Sequence, residues 1–192
     1  IEPSHGGWPR DRWLAELASA EALVTLLHDR VDAATLAAAP RLRVVANYAV
    51  GFDNVDVAAA TARGVIVANT PDVLTEATAD FTWALLLAAA RRVGEGERLV
   101  RAGQWQGWAP ELLLGRELAG TTLGLVGCGR IGRAVAARAH GFRMRVIAAD
   151  TRRPRRGHDG AIEWVPFASL LAHADVVSLQ CPLTDATRAI AA

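Results

Sequence analysis

The stretch GLVGCGRIGRAV, Gly124 to Val135, restricts the fold more than any other part of the chain. Gly127, Gly129 and Gly132 form G-x-G-x-x-G between an apolar run, TLGLVG, and a segment with helical apolar spacing, RIGRAVAARAHG. A strand that turns on glycine straight into a helix opens a βαβ unit whose helix N-terminus can hold a dinucleotide pyrophosphate. The first glycine permits the tight turn, the second lets phosphate approach the backbone, and the third lets helix and strand pack closely. Arg130 and Ile131 lie inside this loop. Asp150 ends the next apolar run, RVIAAD, 18 residues after Gly132. A carboxylate there can accept from the hydroxyls of an adenosine ribose.

The rest of the chain repeats the alternation of short apolar runs and helical stretches. Strands are expected at 22–27, 43–48, 65–69, 122–127, 145–150, 161–165 and 176–181. Helices are expected over 10–18, 33–39, 57–63, 76–92, 96–102, 130–139 and 167–173. This is the pattern of an α/β protein with parallel sheets and crossover helices. The Gly-, Trp- and Arg-rich stretch from Gly94 to Thr121 is the natural place for a boundary, so domains are expected over 1–98 and 99–192. Helix 76–92 has Thr75 as its expected cap, with Glu76 and Asp80 near its start and Arg91-Arg92 at its end to suit the dipole. Phe81, Trp83, Leu85, Leu86 and Leu87 leave it no polar face, so it is expected to be buried, in the core, between domains or against a second subunit.

Composition removes several chemistries. All 21 basic residues are Arg, which excludes Schiff-base lysine chemistry and a P-loop lysine. Five scattered histidines and two cysteines, Cys128 and Cys181, show no metal-ligand spacing, and no disulfide framework is visible. A reducing cytoplasm is the expected compartment. A net charge of +1 gives no sign of a nucleic-acid partner, and no apolar run is long enough for a membrane span. Asp150 favours NAD, because its carboxylate repels a 2′-phosphate; Arg152 or Arg153 in TRRPRR could receive that phosphate, which keeps NADP possible.

Three stretches, in order, carry a more specific signal: VVANYAVGFDNVDVAAATARGVIVANTPDVLTEATADFTWALLLAAARR (44–92), GLVGCGRIGRAVAARAHGFRMRV (124–146) and ADVVSLQCPLTDATRAI (174–190). Together they resemble the D-isomer-specific 2-hydroxyacid dehydrogenases, in particular the glyoxylate/hydroxypyruvate reductase branch. The resemblance implies two doubly wound parallel-sheet domains, a flavodoxin-like substrate domain and a Rossmann-like coenzyme domain, both incomplete here. It implies a homodimer acting on a small 2-oxo or 2-hydroxy acid. Backbone N–H groups of Val50 and Gly51 would hold the substrate carboxylate, and Leu74 would line the pocket. Thr78 would contact the nicotinamide half of the cofactor, with Cys181, Pro182 and Thr187 bordering it. Asp53, Asn54 and Asp56 read as cap and turn residues. Trp108 resembles a residue that reaches the neighbouring subunit.

The family's catalytic arginine, carboxylate and histidine follow the PLTxxT segment. They are therefore expected downstream of Ala192, and the chain reads as a portion of a longer enzyme with little turnover of its own. Two alternatives share these motifs. One is a non-enzymatic NAD(H)-sensing module. The other is a phosphite dehydrogenase-like enzyme, which Val50 opposes because that relative has Lys in the VGFDN turn.

Overall fold

The computed structural model describes residues 9–152, 157–184 and 186–190. By packing, the chain forms two units, one running to Val73 and including the stretch from Leu183, the other spanning Leu74–Pro182. The second unit thus takes in the helix before residue 98, where the sequence places its boundary.

In the first unit, β1 (Ala22–Thr25), β2 (Val44–Asn47) and β3 (Ile66–Ala68) lie side by side in that order and are all parallel. Helices α1 (Arg10–Leu17), α2 (Ala33–Ala38) and α3 (Val57–Ala62) precede or join them. Three strands wound in one direction by right-handed crossovers put their helices on one face. Leu23, Val45 and Val67 face that core with Leu17, Val31, Leu36 and Val55, whereas Val24 and Ile66 on the opposite face are 68% and 67% exposed.

Asp32 caps α2. Its Oδ1 accepts from the backbone N–H of Thr35 at 2.9 Å and from the Thr35 hydroxyl, and the Arg10 guanidinium donates to both carboxylate oxygens. These donors, the Thr35 backbone first, pull the Asp32 carboxyl down from 3.8 to about 2. A carboxyl lowered on folding stabilises the fold above its unfolded value and loses that contribution as pH falls through the folded one.

The second unit is a five-stranded sheet in the order β6 (Gly157–Asp159), β7 (Ile162–Trp164), β5 (Arg145–Ala149), β4 (Thr122–Val126), β8 (Val176–Leu179). All neighbours are parallel except β6 and β7. Strand order reverses at β4, between β5 and β8, which makes the C-terminal ends of β4 and β8 a topological switch point. Helices α4 (Thr75–Ala90) and α6 (Arg130–Ala139) build the core with Leu123, Leu125 and Val146. Helix α7 (Phe167–His173) covers the other face, where Leu170 and Ala174 sit so close that a Cβ on Gly124 would come within 2.8 Å of both.

Four features differ from the sequence expectations. The cap of α4 is Leu74, with no side-chain cap bond, and Thr75 is already helical. The helix ends at Ala90 because Arg92 turns left-handed (φ 54°), and α5 begins at Val93, earlier than expected (Val93–Arg101). Strand β6 was hidden by its short polar sequence, although Asp159-Gly160 is a hairpin-turn dipeptide and Gly160 has φ 61°. Helix α4 is buried on one side only. Ala79, Trp83 and Leu86 face α6, while Phe81 and Leu85 are 64% and 56% exposed.

The α4–α6 contact is both apolar and polar. Trp83 stacks on Phe142 at 4.4 Å between ring centroids, and its Nε1 donates to the Val135 carbonyl at 3.0 Å. Arg138 on α6 donates to Glu76 and Asp80 on α4, both at 2.8 Å. Trp83→Phe, which keeps the ring and loses the donor, should lower stability by about 1 kcal/mol, and Trp83→Ala by about 3–5 kcal/mol, measured by urea unfolding. Asp32→Ala should cost about 1–2 kcal/mol at neutral pH. That difference should shrink from about pH 4 downwards and vanish near the folded pKa of about 2.

Candidate functional site

The glycine loop joins β4 to α6 at the switch point. Gly127 has φ 85°, and a Cβ there would lie 2.8 Å from the backbone nitrogen of Cys181 and 2.9 Å from its Cα. A Cβ on Gly132 would meet the carbonyl oxygen of Gly127 at 2.7 Å. Packing inside the chain therefore demands both glycines. Gly129 is different: its φ is −76°, and a Cβ there would have nothing within 4 Å. No internal contact explains that residue, and the space beside it is open at the uncapped N-terminus of α6. Arg130 and Ile131 form the first helical turn.

Asp150 is fastened to this loop. One carboxylate oxygen accepts from the N–H of Cys128 at 2.9 Å and the other from the N–H of Arg152 at 2.9 Å. The sequence suggests only its ribose role; the bond that ties it to the G-x-G turn is visible only in three dimensions. Arg153 lies outside the described residues. Cys128 is buried and Cys181 half-buried, and both are free thiols.

From β8, Gln180 brings a third element to the switch point. Its backbone N–H donates to Val126 at 2.8 Å, and its side-chain amide donates to Ser178 at 2.9 Å and to Thr82 on α4 at 3.3 Å. The Thr82 hydroxyl in turn donates to the Thr78 carbonyl at 2.8 Å. Thr78 itself donates its N–H to Leu74 at 2.8 Å. Gly127, Gly129, Arg130, Ile131, Gly132, Asp150, Arg152, Cys181 and Pro182 therefore gather at the end of one sheet, and Thr78 and Leu74 connect to it through Thr82. Gln180, Thr82 and Ser178 were not singled out from the sequence, where an amide and two hydroxyls as much as 98 positions apart carry no visible pattern.

Val50, Gly51 and Thr187 belong to the first unit. The Val50–Gly51 turn follows β2 and is held by its carbonyls. The Ala49 carbonyl accepts from Thr70 N–H at 2.9 Å, Val50 from Asn69 Nδ2 at 2.9 Å, and Gly51 from Asn47 Nδ2 at 2.7 Å. The N–H groups of Val50 and Gly51 make no hydrogen bond to the described residues. Asn47 is 1% exposed and is fixed by the Thr25 hydroxyl at 2.8 Å and by Asn54. Asn54 also donates to Leu26 and Asp29, while Asp56 caps α3 through Ala59 N–H at 2.9 Å, the turn and cap roles expected of them. Thr187 closes a local turn by accepting from Thr184 N–H at 2.8 Å.

Among the described residues no helix is long and apolar enough to cross a membrane, and no group of three His, Cys, Asp or Glu is placed to hold a metal. Among the described residues, the histidines lie apart from the glycine loop's bonding. His28 faces Asp29 at 3.5 Å, and His173 bonds to the carbonyl of Ser169, one turn back on its own helix.

Residues 83–192 match the family model described as D-isomer specific 2-hydroxyacid dehydrogenase, NAD binding domain. The chain is 55% identical over 169 residues to a glyoxylate reductase from Korarchaeum cryptofilum, covering 87% of this chain and 51% of that protein. It thus spans about half the length of the curated relatives it matches. Among solved structures, the TT0316 protein from Thermus thermophilus superposes with a TM-score of 0.87 at 50% identity, covering 94% of this chain and 57% of that one. D-lactate dehydrogenase from Aquifex aeolicus, solved with NAD and lactic acid, superposes with a TM-score of 0.81 at 30% identity, covering 91% and 52%. The switch-point glycine loop, its fastened aspartate and a family match across more than half the residues lead to one assignment: the chain belongs to the D-isomer-specific 2-hydroxyacid dehydrogenases and carries their NAD binding domain.

Proposed function

We propose that this chain is the cofactor- and carboxylate-binding portion of an NAD-dependent reductase of small 2-oxo acids, with glyoxylate or hydroxypyruvate as substrate. The observation that carries the reading is Gly129, a glycine at a helix N-terminus that no contact among the described residues requires. A pyrophosphate lying against that backbone supplies the requirement, since any Cβ would stand in its place. Arg130, Ile131 and Gly132 present the first turn of α6 to the phosphates, and the Asp150 carboxylate at the end of β5 accepts from the adenosine ribose hydroxyls.

When bound, the nicotinamide exchanges a hydride with C2 of the substrate. This chain's part is to bind and orient. The N–H groups of Val50 and Gly51 receive the substrate carboxylate, and Leu74 gives the pocket an apolar wall. Thr78 faces the nicotinamide half, while Cys181, Pro182 and Thr187 border the ribose and phosphates. Proton transfer falls to a histidine partnered by a carboxylate, and substrate pairing to an arginine, the three groups expected of the longer enzyme. The exposed Phe81 and Leu85 of α4 and the 85% exposed Trp108 support a homodimer. Its setting is the cytoplasm, where two free thiols stay reduced.

Quenching of the six tryptophans by NADH tests the reading. Gly129→Ala should weaken NADH at least about tenfold without lowering thermal stability. Gly132→Ala should instead destabilise the fold by about 1–3 kcal/mol. Unchanged NADH binding by Gly129→Ala would overturn the assignment of that loop. The carboxylate of Asp150 should make NADPH bind roughly tenfold more weakly than NADH, and Asp150→Asn should narrow the gap. Equal binding of the two nucleotides by the parent chain would remove the NAD preference.

A further inference from the structure

Leu74, Thr78 and Thr82 are four residues apart and so share one stripe of α4. The stripe is bonded end to end, Thr78 N–H to the Leu74 carbonyl and Thr82 hydroxyl to the Thr78 carbonyl, both at 2.8 Å. Its tie to the sheet is the Gln180 amide, which reaches Thr82 from the end of β8 and is itself steadied by Ser178. The same residue's backbone N–H is bonded to Val126, the last residue before the glycine turn. The next residue, Cys181, is the one whose backbone crowds Gly127. One side chain thus connects the turn beneath the pyrophosphate to the helix stripe that includes Thr78.

We propose that Gln180 is a positioning residue for the nicotinamide half of the cofactor. It sets the register of the Leu74–Thr78–Thr82 stripe against the glycine loop, acting through Thr82 and not by touching the cofactor. The inference rests on the assignment of Thr78 to the nicotinamide half. Direction matters in this chain of bonds. The amide supplies the donor to Thr82, which leaves the single hydroxyl proton of Thr82 for the Thr78 carbonyl. An apolar residue at 180, or loss of the hydroxyl at 82, removes the tie while leaving the glycine loop and Asp150 intact.

The test compares two nucleotides that differ at the relevant end, NADH and ADP-ribose, the second lacking the nicotinamide. Both are titrated against the 192-residue chain. Gln180→Leu and Thr82→Val should each weaken NADH about fivefold, the size of one lost hydrogen bond, with ADP-ribose held within about twofold. The double variant should lose no more than either single one, because both break the same link. Thr82→Ser, which keeps the hydroxyl, should bind NADH like the parent chain. Circular dichroism establishes that each variant is folded. Equal weakening of NADH and ADP-ribose would overturn the proposal, since Gln180 would then merely support the pyrophosphate turn. NADH binding unchanged in both Gln180→Leu and Thr82→Val would overturn it as well. Failure of the parent chain to bind either nucleotide would instead overturn the assignment of the cofactor loop, and this inference with it.

Discussion

The second unit is organised around a place with no room for a side chain. At Gly127 the chain leaves β4 with a positive φ, hemmed in by the Cys181 backbone on one side and by Gly132 of α6 on the other. That crowding brings the exit of β8, the start of α6 and the end of β4 within van der Waals contact. Parallel strands on either side of a reversal in strand order leave a crevice between them. Here main-chain dipoles at the start of α6 act beside the charged side chains of Arg130 and Asp150. The N–H groups that a buried loop would have to satisfy internally are instead presented at an open edge.

Much of this was legible because the signals were local. Every strand expected from the sequence is present, and Gly127 and Gly132 occupy the positions for which the spacing selects glycine. What escaped was of two kinds. Short polar elements such as β6 have too little apolar content to register against turns, even with an Asp-Gly corner to mark them. Long-range polar ties are the other kind. Asp150 to Cys128, Gln180 to Thr82, and Arg138 to Glu76 and Asp80 join residues 22 to 98 positions apart, and periodicity carries no information about them. The cap of α4 failed for a related reason. A threonine before an acidic residue is a sound start signal, but here the backbone entered the helix one residue early and left Thr75 inside it.

Helix α4 illustrates how packing redistributes what composition suggests. Its run of Phe, Trp and Leu reads as apolar on all sides, yet only Ala79, Trp83 and Leu86 are buried. Trp83 contributes most, because one residue delivers a large ring to Phe142 and a donor to Val135. Arg138, meanwhile, satisfies two carboxylates at once, so the acidic start of α4 serves tertiary packing as well as its own dipole.

In the first unit, the turn at residues 49–51 has each carbonyl oxygen occupied by a donor from elsewhere in the same unit, and the N–H groups of Val50 and Gly51 unspent. Oxygens turned inward and hydrogens turned outward give the turn a fixed positive face without any cationic side chain. Such a face has no proton to gain or lose across the physiological range. Its attraction for an anion therefore follows the ionisation of the ligand alone. Val50 itself adds no charge to that face, whereas a lysine at the same position would.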